Sequence, residues 1–419
     1  MRRAPSEKTA VGRPRLQLLI HSYWPESTPP QRRWQRLTES LRADGWEVDV
    51  VTPAANERHT PAARLPEGSF TLRPQQGPSG EHLRRVPYLL LRNSRIGRFL
   101  SDAVSSVLMV PRAVCAPRPD VVLATVPALP VICAGWLAAR LRGAPLVIDM
   151  RDAWPELARE AEVKAGPAGR VMEAVVTGIQ RRAELVVTVT AGFAERLRSR
   201  GVERVETISN GVTLEEIPQL EHRERVPGEL RVAYLGNHGE SQTLDKVIEA
   251  VKTIHERAEV SVTLRLVGSG TQKEQLIGLA DGCPAVQFHE PVHGDEVWDH
   301  YRWADTALVS LRTDWASFAW TVPSKTFELL GLGKHITATV TGEAAEILAQ
   351  AENVCVVDSC PQALVEAFTA LARDPGSTPV SRSGRRWVAE HADLPRLGER
   401  YSALLSTFLP GGRRGRGSS

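Results

Sequence analysis

Leu230-Arg-Val-Ala-Tyr-Leu-Gly236 is the stretch that decides the fold, because a strand–helix alternation begins there for the second time along the chain. It is an apolar run that ends at a glycine, and a helical pattern follows at 244–256. Further strands are predicted at 260–267, 285–288, 304–310, 335–339 and 354–357. Strands that alternate with helices form parallel sheets covered on both faces, so this half predicts a doubly wound domain.

The residues before this stretch show the same alternation and predict an earlier domain of the same kind. Its strands are expected at 15–20, 47–52, 120–125, 145–149, 184–189 and 205–209, and its first helix at 32–43. Residues 53–80, rich in Pro, Gly and polar side chains, are expected to form a long loop. The charged, proline-containing segment 215–229 is predicted to be a linker. Ligands bind such domains at the carboxyl ends of the strands.

Composition indicates a soluble globular protein. The chain has 419 residues, of which 42% are hydrophobic and 24% charged, and its net charge of +3 gives no general attraction to nucleic acid. Five scattered cysteines without a CxxC pair predict a reducing compartment with neither disulfides nor a zinc site. Residues 121–139 are uncharged, but Pro127 and Pro130 divide them into a strand half and a helical half, so a membrane span is not expected.

A basic and apolar segment at 84–98 leaves one alternative open. It carries five arginines among valine, tyrosine, leucine and isoleucine side chains, and Phe99 follows it. Such a segment can lie on an anionic membrane surface, or it can be a solvated helix over the core. The prediction is therefore a cytoplasmic protein, with peripheral membrane association as the alternative.

Pro323-Ser-Lys-Thr-Phe-Glu328 is the stretch most informative about function. Its proline suits a first helical turn. Ser324, Lys325 and Thr326 then combine free backbone N–H groups, hydroxyls and an ammonium, which together can bind a diphosphate. Glu328 lies one turn later and can accept hydrogen bonds from sugar hydroxyls. An ordinary capped amphipathic helix is the alternative for this segment alone.

Several short motifs occur in the order found in one enzyme family. They are Ile148-Asp-Met-Arg-Asp-Ala-Trp-Pro-Glu156, Thr207-Ile-Ser-Asn-Gly-Val212, Tyr234-Leu-Gly-Asn-His-Gly239, Leu266-Val-Gly-Ser-Gly270, Pro323-Ser-Lys-Thr-Phe-Glu328 and Thr341-Gly-Glu-Ala-Ala-Glu346. Over nearly all of residues 15–409 the chain resembles the group 1 (family 4) retaining glycosyltransferases of GT-B fold. It is most similar to the branch that transfers amino sugars in surface-polysaccharide assembly.

The resemblance implies an α/β protein whose two doubly wound, Rossmann-like domains face each other across a cleft. The N-terminal domain would bind the acceptor and the C-terminal domain the nucleotide sugar, and packing of a C-terminal helix on the N-terminal domain is one option. The expected divisions are a disordered basic tail at 1–14, domains at 15–214 and 230–395, the linker at 215–229, the helix at 396–411 and a disordered tail at 412–419.

The implied reaction is a hexosyl transfer with retention of configuration. The donor would be a nucleoside-diphosphate sugar, UDP-linked by preference, and the sugar an N-acetylated hexosamine or a related one. The acceptor would be a sugar, a lipid-linked sugar or a small molecule, in polysaccharide, glycolipid or glycosylated-metabolite synthesis. No cofactor and no metal are expected, since no DxD triplet occurs where a divalent ion would bind.

The resemblance also implies which residues hold the donor. Glu328 would bind the ribose and Glu343 the donor sugar, while Gly268 and Gly270 would let the backbone approach the nucleoside. Lys325 is assigned to the diphosphate, because many relatives use an Arg and a Lys that are missing here. The full implied donor set is Gly236, Asn237, Gly268, Gly270, Ser324, Lys325, Thr326, Glu328, Gly342, Glu343 and Ala344.

Candidates for the acceptor side come from the first domain. Asp152 follows a predicted buried strand and could contact or activate the acceptor hydroxyl. Arg151 stands where relatives often have a histidine, and an ion pair that braces the loop is the alternative for both residues. Trp24, Arg32 and Arg33 are expected to face the acceptor, with core or helix-surface positions as alternatives.

Two other functions remain open at this point. A nucleotide-sugar 2-epimerase of the same fold would convert the donor without an acceptor. A non-catalytic subunit would bind the donor without transferring it, which is made plausible by Trp320, a position where many relatives carry an acidic residue.

Overall fold

The computed structural model describes residues 13–55, 73–88, 95–151, 167–221 and 224–409. The strands are β1 Arg15–Leu19, β2 Glu47–Pro53, β3 Gln75–Gln76, β4 His82–Val86, β5 Val121–Thr125, β6 Leu146–Met150, β7 Leu185–Thr188, β8 Val205–Thr207, β9 Glu229–Leu235, β10 Ser261–Val267, β11 Val286–His289, β12 Thr306–Ser310, β13 His335–Thr339 and β14 Val354–Val356. The helices are α1 Pro29–Ala43, α2 Arg95–Val114, α3 Leu129–Arg142, α4 Pro167–Gln180, α5 Ala191–Ser199, α6 Leu244–Arg257, α7 Lys273–Ala280, α8 Asp295–Trp303, α9 Lys325–Leu332, α10 Gly342–Leu348, α11 Pro361–Arg373, α12 Ser383–His391 and α13 Leu394–Ser406.

Two sheets organise the described residues. The first has the order β3-β4-β2-β1-β5-β6-β7-β8 and is parallel except for the β3–β4 pair, and the second has the order β11-β10-β9-β12-β13-β14 and is parallel throughout. The strand order reverses between β1 and β5 and between β9 and β12, which is where doubly wound sheets bind ligands. The prediction of two doubly wound parallel sheets is confirmed.

The central strands are buried on both faces, as continuous apolar runs predict. Every residue of β5 and of β6 is buried. The uncharged stretch at 121–139 consists of β5, a turn and most of α3. Among the described helices, none has the length and apolar character that crossing a bilayer requires.

Strands β3 and β4 were not predicted from the sequence patterns, and β3 lies within the loop expected at 53–80. Residues 84–86 were expected to belong to one basic surface segment, but they pair with β2 instead. Arg84 is accommodated because its guanidinium donates to the buried carboxylate of Asp49 at 2.8 Å, and Arg85 donates to the Pro53 carbonyl at 3.1 Å. These two arginines are therefore engaged inside the protein. Residues 89–94 of the segment lie outside the described residues.

The last helix, α13, packs on the N-terminal domain against α1. Trp46 Nε1 donates to Ser402 Oγ at 3.1 Å, and the Trp34 and Tyr401 rings meet edge to face with centroids 5.4 Å apart. At Gly398 an added Cβ would lie 2.3 Å from Ser40, so glycine lets the two helices approach closely. Helix α13 thus covers part of one face of the first sheet.

Candidate active site

The loops that follow β9 and β10 pack backbone to backbone at the switch point of the second sheet. Gly236 N donates to the Val267 carbonyl at 2.9 Å. A Cβ at Gly268 would lie 2.0 Å from the Gly236 carbonyl oxygen, and one at Gly270 would lie 2.3 Å from the His238 carbonyl oxygen. Both predicted donor glycines therefore have a contact inside the protein that excludes any side chain. Gly236 itself is exposed and has a φ of 147°, which favours glycine.

Helix α9 begins beside this glycine turn. Ser324 already has helical φ and ψ of −58° and −31°, and Thr326 N donates back to the Pro323 carbonyl at 2.9 Å. The backbone N–H groups of Ser324 and Lys325 donate to no acceptor in the described part of the chain. Two open donors and the positive end of a helix dipole thus lie at the exposed Ser324 and the half-buried Lys325, whereas the Thr326 side chain is buried.

The Lys325 ammonium joins the helix start to the glycine turn. Its Nζ donates to the Leu235 carbonyl and lies 3.5 Å from the centroid of the Tyr234 ring. A Cβ added at Gly236 would be only 2.7 Å from that Nζ. Burial lowers the pKa of Lys325 to about 7, and the charge of Glu328 opposes this shift.

Glu328 lies among groups from three elements. Burial raises the pKa of its carboxyl, while a hydrogen bond with the Tyr301 phenol and the charges of Lys325 and Arg32 oppose that rise. Burial and the Glu328 carboxylate raise the pKa of Tyr301 well above its usual value. Arg32 belongs to α1, so the positive charge of the N-terminal domain acts on this carboxylate across the cleft.

Next to this turn lies His238, which the sequence patterns did not single out. Its side chain is buried between the rings of Tyr234 and Phe288, with centroid distances of 6.1 and 6.5 Å. Burial, aided by the charges of Lys273 and Lys325, lowers the pKa of His238 to about 4. The imidazole is therefore neutral near pH 7 and packs the two glycine loops together.

The start of α10 makes a contact between the domains. Both Glu343 carboxylate oxygens accept hydrogen bonds, one from Ala191 N and one from Gly192 N, each at 2.9 Å. These N–H groups belong to the first two residues of helix α5 in the N-terminal domain. Gly342, with a φ of 59°, lies so close to Ala319 that an added Cβ would be 1.9 Å from its carbonyl oxygen.

Comparison with known proteins identifies this arrangement. Residues 30–211 match the profile of the glycosyl transferase 4-like domain, and residues 229–374 match that of the glycosyl transferases group 1. The chain belongs to the group 1 glycosyltransferases. The family expected from the motifs is confirmed. The first profile covers β2–β8 of the first sheet, and the second covers the whole second sheet.

Individual relatives of this glycosyltransferase agree with the family. It is 26% identical over 398 residues to WcaI of Escherichia coli (strain K12), provisionally named a colanic acid biosynthesis glycosyl transferase, covering 88% of this chain and 95% of that protein. Sucrose-phosphate synthase from Thermosynechococcus elongatus superposes with a TM-score of 0.66 at 16% identity, over 94% of this chain and 98% of that chain. Anabaena HepE, solved with UDP-glucose, superposes with a TM-score of 0.65 at 15% identity, over 94% of this chain and 99% of that chain. The two structures establish the GT-B fold.

Among the residues predicted to face the acceptor, the two neighbouring arginines have different positions. Arg32 is exposed on α1, whereas Arg33 is buried and donates to the carbonyls of Ile208 at 2.9 Å and Ser209 at 2.5 Å. Trp24 is half-buried against the core of the N-terminal domain. The structure thus brings Arg32 to the cleft and directs Arg33 into the protein.

Strand β6, which leads to the predicted catalytic loop, ends on a buried carboxylate. Asp149 accepts hydrogen bonds from Trp34 Nε1 at 3.0 Å, Thr125 Oγ1 at 2.9 Å and the Tyr401 hydroxyl at 2.8 Å. The Arg33 guanidinium lies 4.0 Å away. An acidic residue within an apolar strand was the sequence signal for such a network.

The two residues predicted to be catalytic, Arg151 and Asp152, come directly after strand β6. Arg151 is half-buried at the end of β6. Asp152 lies outside the described residues. The network at Asp149 therefore fixes the strand from which both residues follow.

Proposed function

We propose that this glycosyltransferase transfers an N-acetylated hexosamine, or a related sugar, from a UDP-linked donor to an acceptor hydroxyl with retention of configuration. The observation that carries the proposal is the Lys325 ammonium beside the exposed Gly236 turn, with two open backbone N–H groups at the start of α9. A negatively charged diphosphate suits that combination of charge, dipole and donors.

The donor residues divide by what they offer. Ser324 and Lys325 would bind the phosphates, Glu328 the ribose hydroxyls, and the Gly342–Ala344 backbone the sugar. Stabilising the leaving diphosphate is the electrostatic part of the catalysis, and it acts where charge develops. UDP is preferred because HepE, of the same fold, was solved with UDP-glucose. The name of WcaI favours surface-polysaccharide synthesis as the pathway class.

The direct test is a thermal-shift screen of nucleotide sugars followed by transfer assays. A donor at about 100 times its Kd stabilises the fold by roughly 2.7 kcal/mol. We expect UDP-N-acetylhexosamines to stabilise most, and the anomeric configuration of the product to match that of the donor. Stabilisation by another nucleotide alone would refute the base assignment, and an inverted product would refute retention.

Asp152 is proposed to contact or activate the acceptor hydroxyl, with Arg151 beside it. Asp152→Asn keeps the size of the side chain and removes its basicity, so turnover should fall at least about 100-fold while donor affinity stays unchanged. Unchanged turnover would exclude a required carboxylate at this position.

The two alternative functions make opposite predictions in simple incubations. A 2-epimerase would produce an epimer from the donor without acceptor. A binding subunit would be stabilised by the donor but would transfer nothing to any acceptor tested. Family membership favours the transferase over both.

Peripheral contact with an anionic membrane is proposed on a different surface from the one the sequence suggested. Helices α2, α3 and α4 pack over one face of the first sheet, and their outer sides expose apolar residues four or seven positions apart. These residues are Leu100, Val107, Leu137, Leu141, Val171 and Val175. The sequences of the three helices hold six arginines and two carboxylates, which suits an anionic surface.

Vesicle co-sedimentation tests this membrane contact. The protein should bind vesicles of phosphatidylglycerol and phosphatidylcholine better than phosphatidylcholine alone. The double variant Val107→Glu, Leu141→Glu should lose that binding, whereas Ile277→Glu, at a 47% exposed apolar position of α7 in the other domain, should keep it. Equal binding by both variants would refute this surface.

A further inference from the structure

The contact around the start of α5 joins the two domains through side chains of different kinds. From the C-terminal domain, Glu343 accepts hydrogen bonds from Ala191 N and Gly192 N, each at 2.9 Å, and Trp320 packs against Gly192. Trp320 also lies against the apolar core of the N-terminal domain. We call Glu343, Trp320, Ala191 and Gly192 the interdomain clasp.

Gly192 is shaped for this contact. An added Cβ would lie 2.7 Å from Trp320 Cβ and 3.5 Å from a Glu343 carboxylate oxygen. The carboxylate meets the positive end of the α5 dipole and satisfies two N–H groups that no residue of the helix itself can accept. An apolar contact and a charge-assisted contact thus coincide on one turn of helix.

We propose that Glu343 is a positioning residue that holds the N-terminal domain against the donor domain through the clasp. This inference rests on the proposed transferase function, and it changes the role expected for Glu343. Because both carboxylate oxygens bind the N-terminal domain, the side chain is not free to contact the donor sugar while the clasp is closed. The backbone of α10 remains available to the donor, and the carboxylate instead brings the acceptor domain to it.

The helix start in the clasp is accessible to solvent. Ala191 is exposed and Gly192 half-buried, so water competes for the same N–H groups once the domains separate. Trp320 supplies apolar contact where many relatives, by the resemblance, carry an acidic residue. That substitution removes a second carboxylate from the neighbourhood of Glu343 and favours closure.

Hydrogen exchange of the donor-free protein tests the clasp without relying on activity. In Glu343→Gln, the peptide that contains Ala191 and Gly192 should exchange at least about tenfold faster, because a charge-assisted acceptor is lost. Glu346→Gln, an exposed position on the same helix, should leave that exchange unchanged. Unchanged exchange in Glu343→Gln would overturn the clasp even if the protein transfers sugar.

Kinetics then separates positioning from donor binding. If the clasp positions the domains, Glu343→Gln should lower kcat at least about tenfold and leave the donor Kd unchanged. Gly192→Ala, which changes no predicted donor residue, should produce the same pattern, and the double variant should be no worse than either single one. If Glu343→Gln raises the donor Kd while Gly192→Ala keeps the wild-type kcat and donor Kd, the proposal is refuted and Glu343 contacts the donor directly.

Discussion

If Lys325 binds the donor diphosphate as proposed, its lowered pKa should make donor binding depend on pH in a defined direction. Burial lowers the pKa of the free protein's ammonium to about 7. A bound diphosphate would stabilise the charged form and raise that pKa, so binding takes up a proton. Donor affinity should therefore fall as pH rises above 7. Because its pKa is about 4, His238 stays neutral throughout this range and does not contribute.

The size of the effect follows from the fraction of charged Lys325. With a pKa of about 7, roughly 0.9 of the molecules carry the charge at pH 6 and roughly 0.1 at pH 8. Apparent Kd is the intrinsic Kd divided by the competent fraction, so it should rise about tenfold between these two pH values. In Lys325→Met the charge is absent, and the Kd at pH 6 should be at least about tenfold weaker and independent of pH.

Calorimetric titration with a UDP-sugar checks both statements, since a diphosphate esterified at both ends has no proton to lose in this range. Lys252→Met is the matched control, because its Nζ is on α6 and bonds the Leu279 carbonyl away from the glycine turn. The Lys252→Met variant should retain the wild-type donor affinity and the wild-type dependence of the donor Kd on pH. A flat wild-type profile, or a slope that persists in Lys325→Met, would refute the assignment of Lys325 to the diphosphate.

Unfolding should show the opposite trend in the absence of donor. The folded-state pKa of Lys325 lies below its unfolded value, so the unfolded chain binds more protons between about pH 7 and 10. The contribution of this group to the free energy of unfolding therefore rises with pH across that window. In Lys325→Met this contribution should disappear.

Further predictions concern the scaffold and the chemistry. Tyr401→Phe removes one of three donors to the buried Asp149 carboxylate and should lower the free energy of unfolding by about 1.5–3 kcal/mol in denaturant titrations. Gly268→Ala should lower Tm and donor affinity, because its Cβ would meet the Gly236 carbonyl at 2.0 Å, whereas Gly278→Ala, in a helix with open space around it, should stabilise by about 0.5–1 kcal/mol. Transfer should continue at full rate in excess chelator, and a requirement for added Mg²⁺ or Mn²⁺ would contradict the prediction of metal independence.

Short apolar runs made the fold predictable. The run at 145–149 was expected to be a buried strand, and β6 covers Leu146–Met150. Such strands can be predicted from a short stretch of sequence, because a strand buried on both faces needs only a run of about five apolar residues. Strand β4 could not be predicted from its own residues. Its Arg84 is tolerable only because Asp49, 35 positions earlier in the sequence, supplies the compensating charge.

The parts of the candidate site that come from one continuous motif could be predicted from the sequence. The parts that are formed by contacts between separate elements could not. Ser324 and Lys325 are neighbours in sequence, so a helix start with an ammonium could be predicted from one segment. The proximity of Lys325 to Gly236 and the effect of Tyr301 on Glu328 depend on how separate elements pack. No local pattern marks such contacts, because the residues that make them are ordinary by themselves.

The position of the clasp relative to the interdomain crossing explains why Glu343 should control closure. The chain passes between the domains twice, and the two passes bond to each other: Leu394 N donates to the Val212 carbonyl at 2.9 Å, and Val212 N to the Ala392 carbonyl at 3.0 Å. Gly211 packs so tightly on this second pass that an added Cβ would be 2.3 Å from the Ala392 carbonyl oxygen. If the domains open, we expect them to turn about this crossing, because hydrogen bonds join its two passes. No covalent connection crosses the contact between α5 and Glu343. If the proposed clasp is correct, we expect this contact to separate and the N-terminal domain to move away from the proposed diphosphate site.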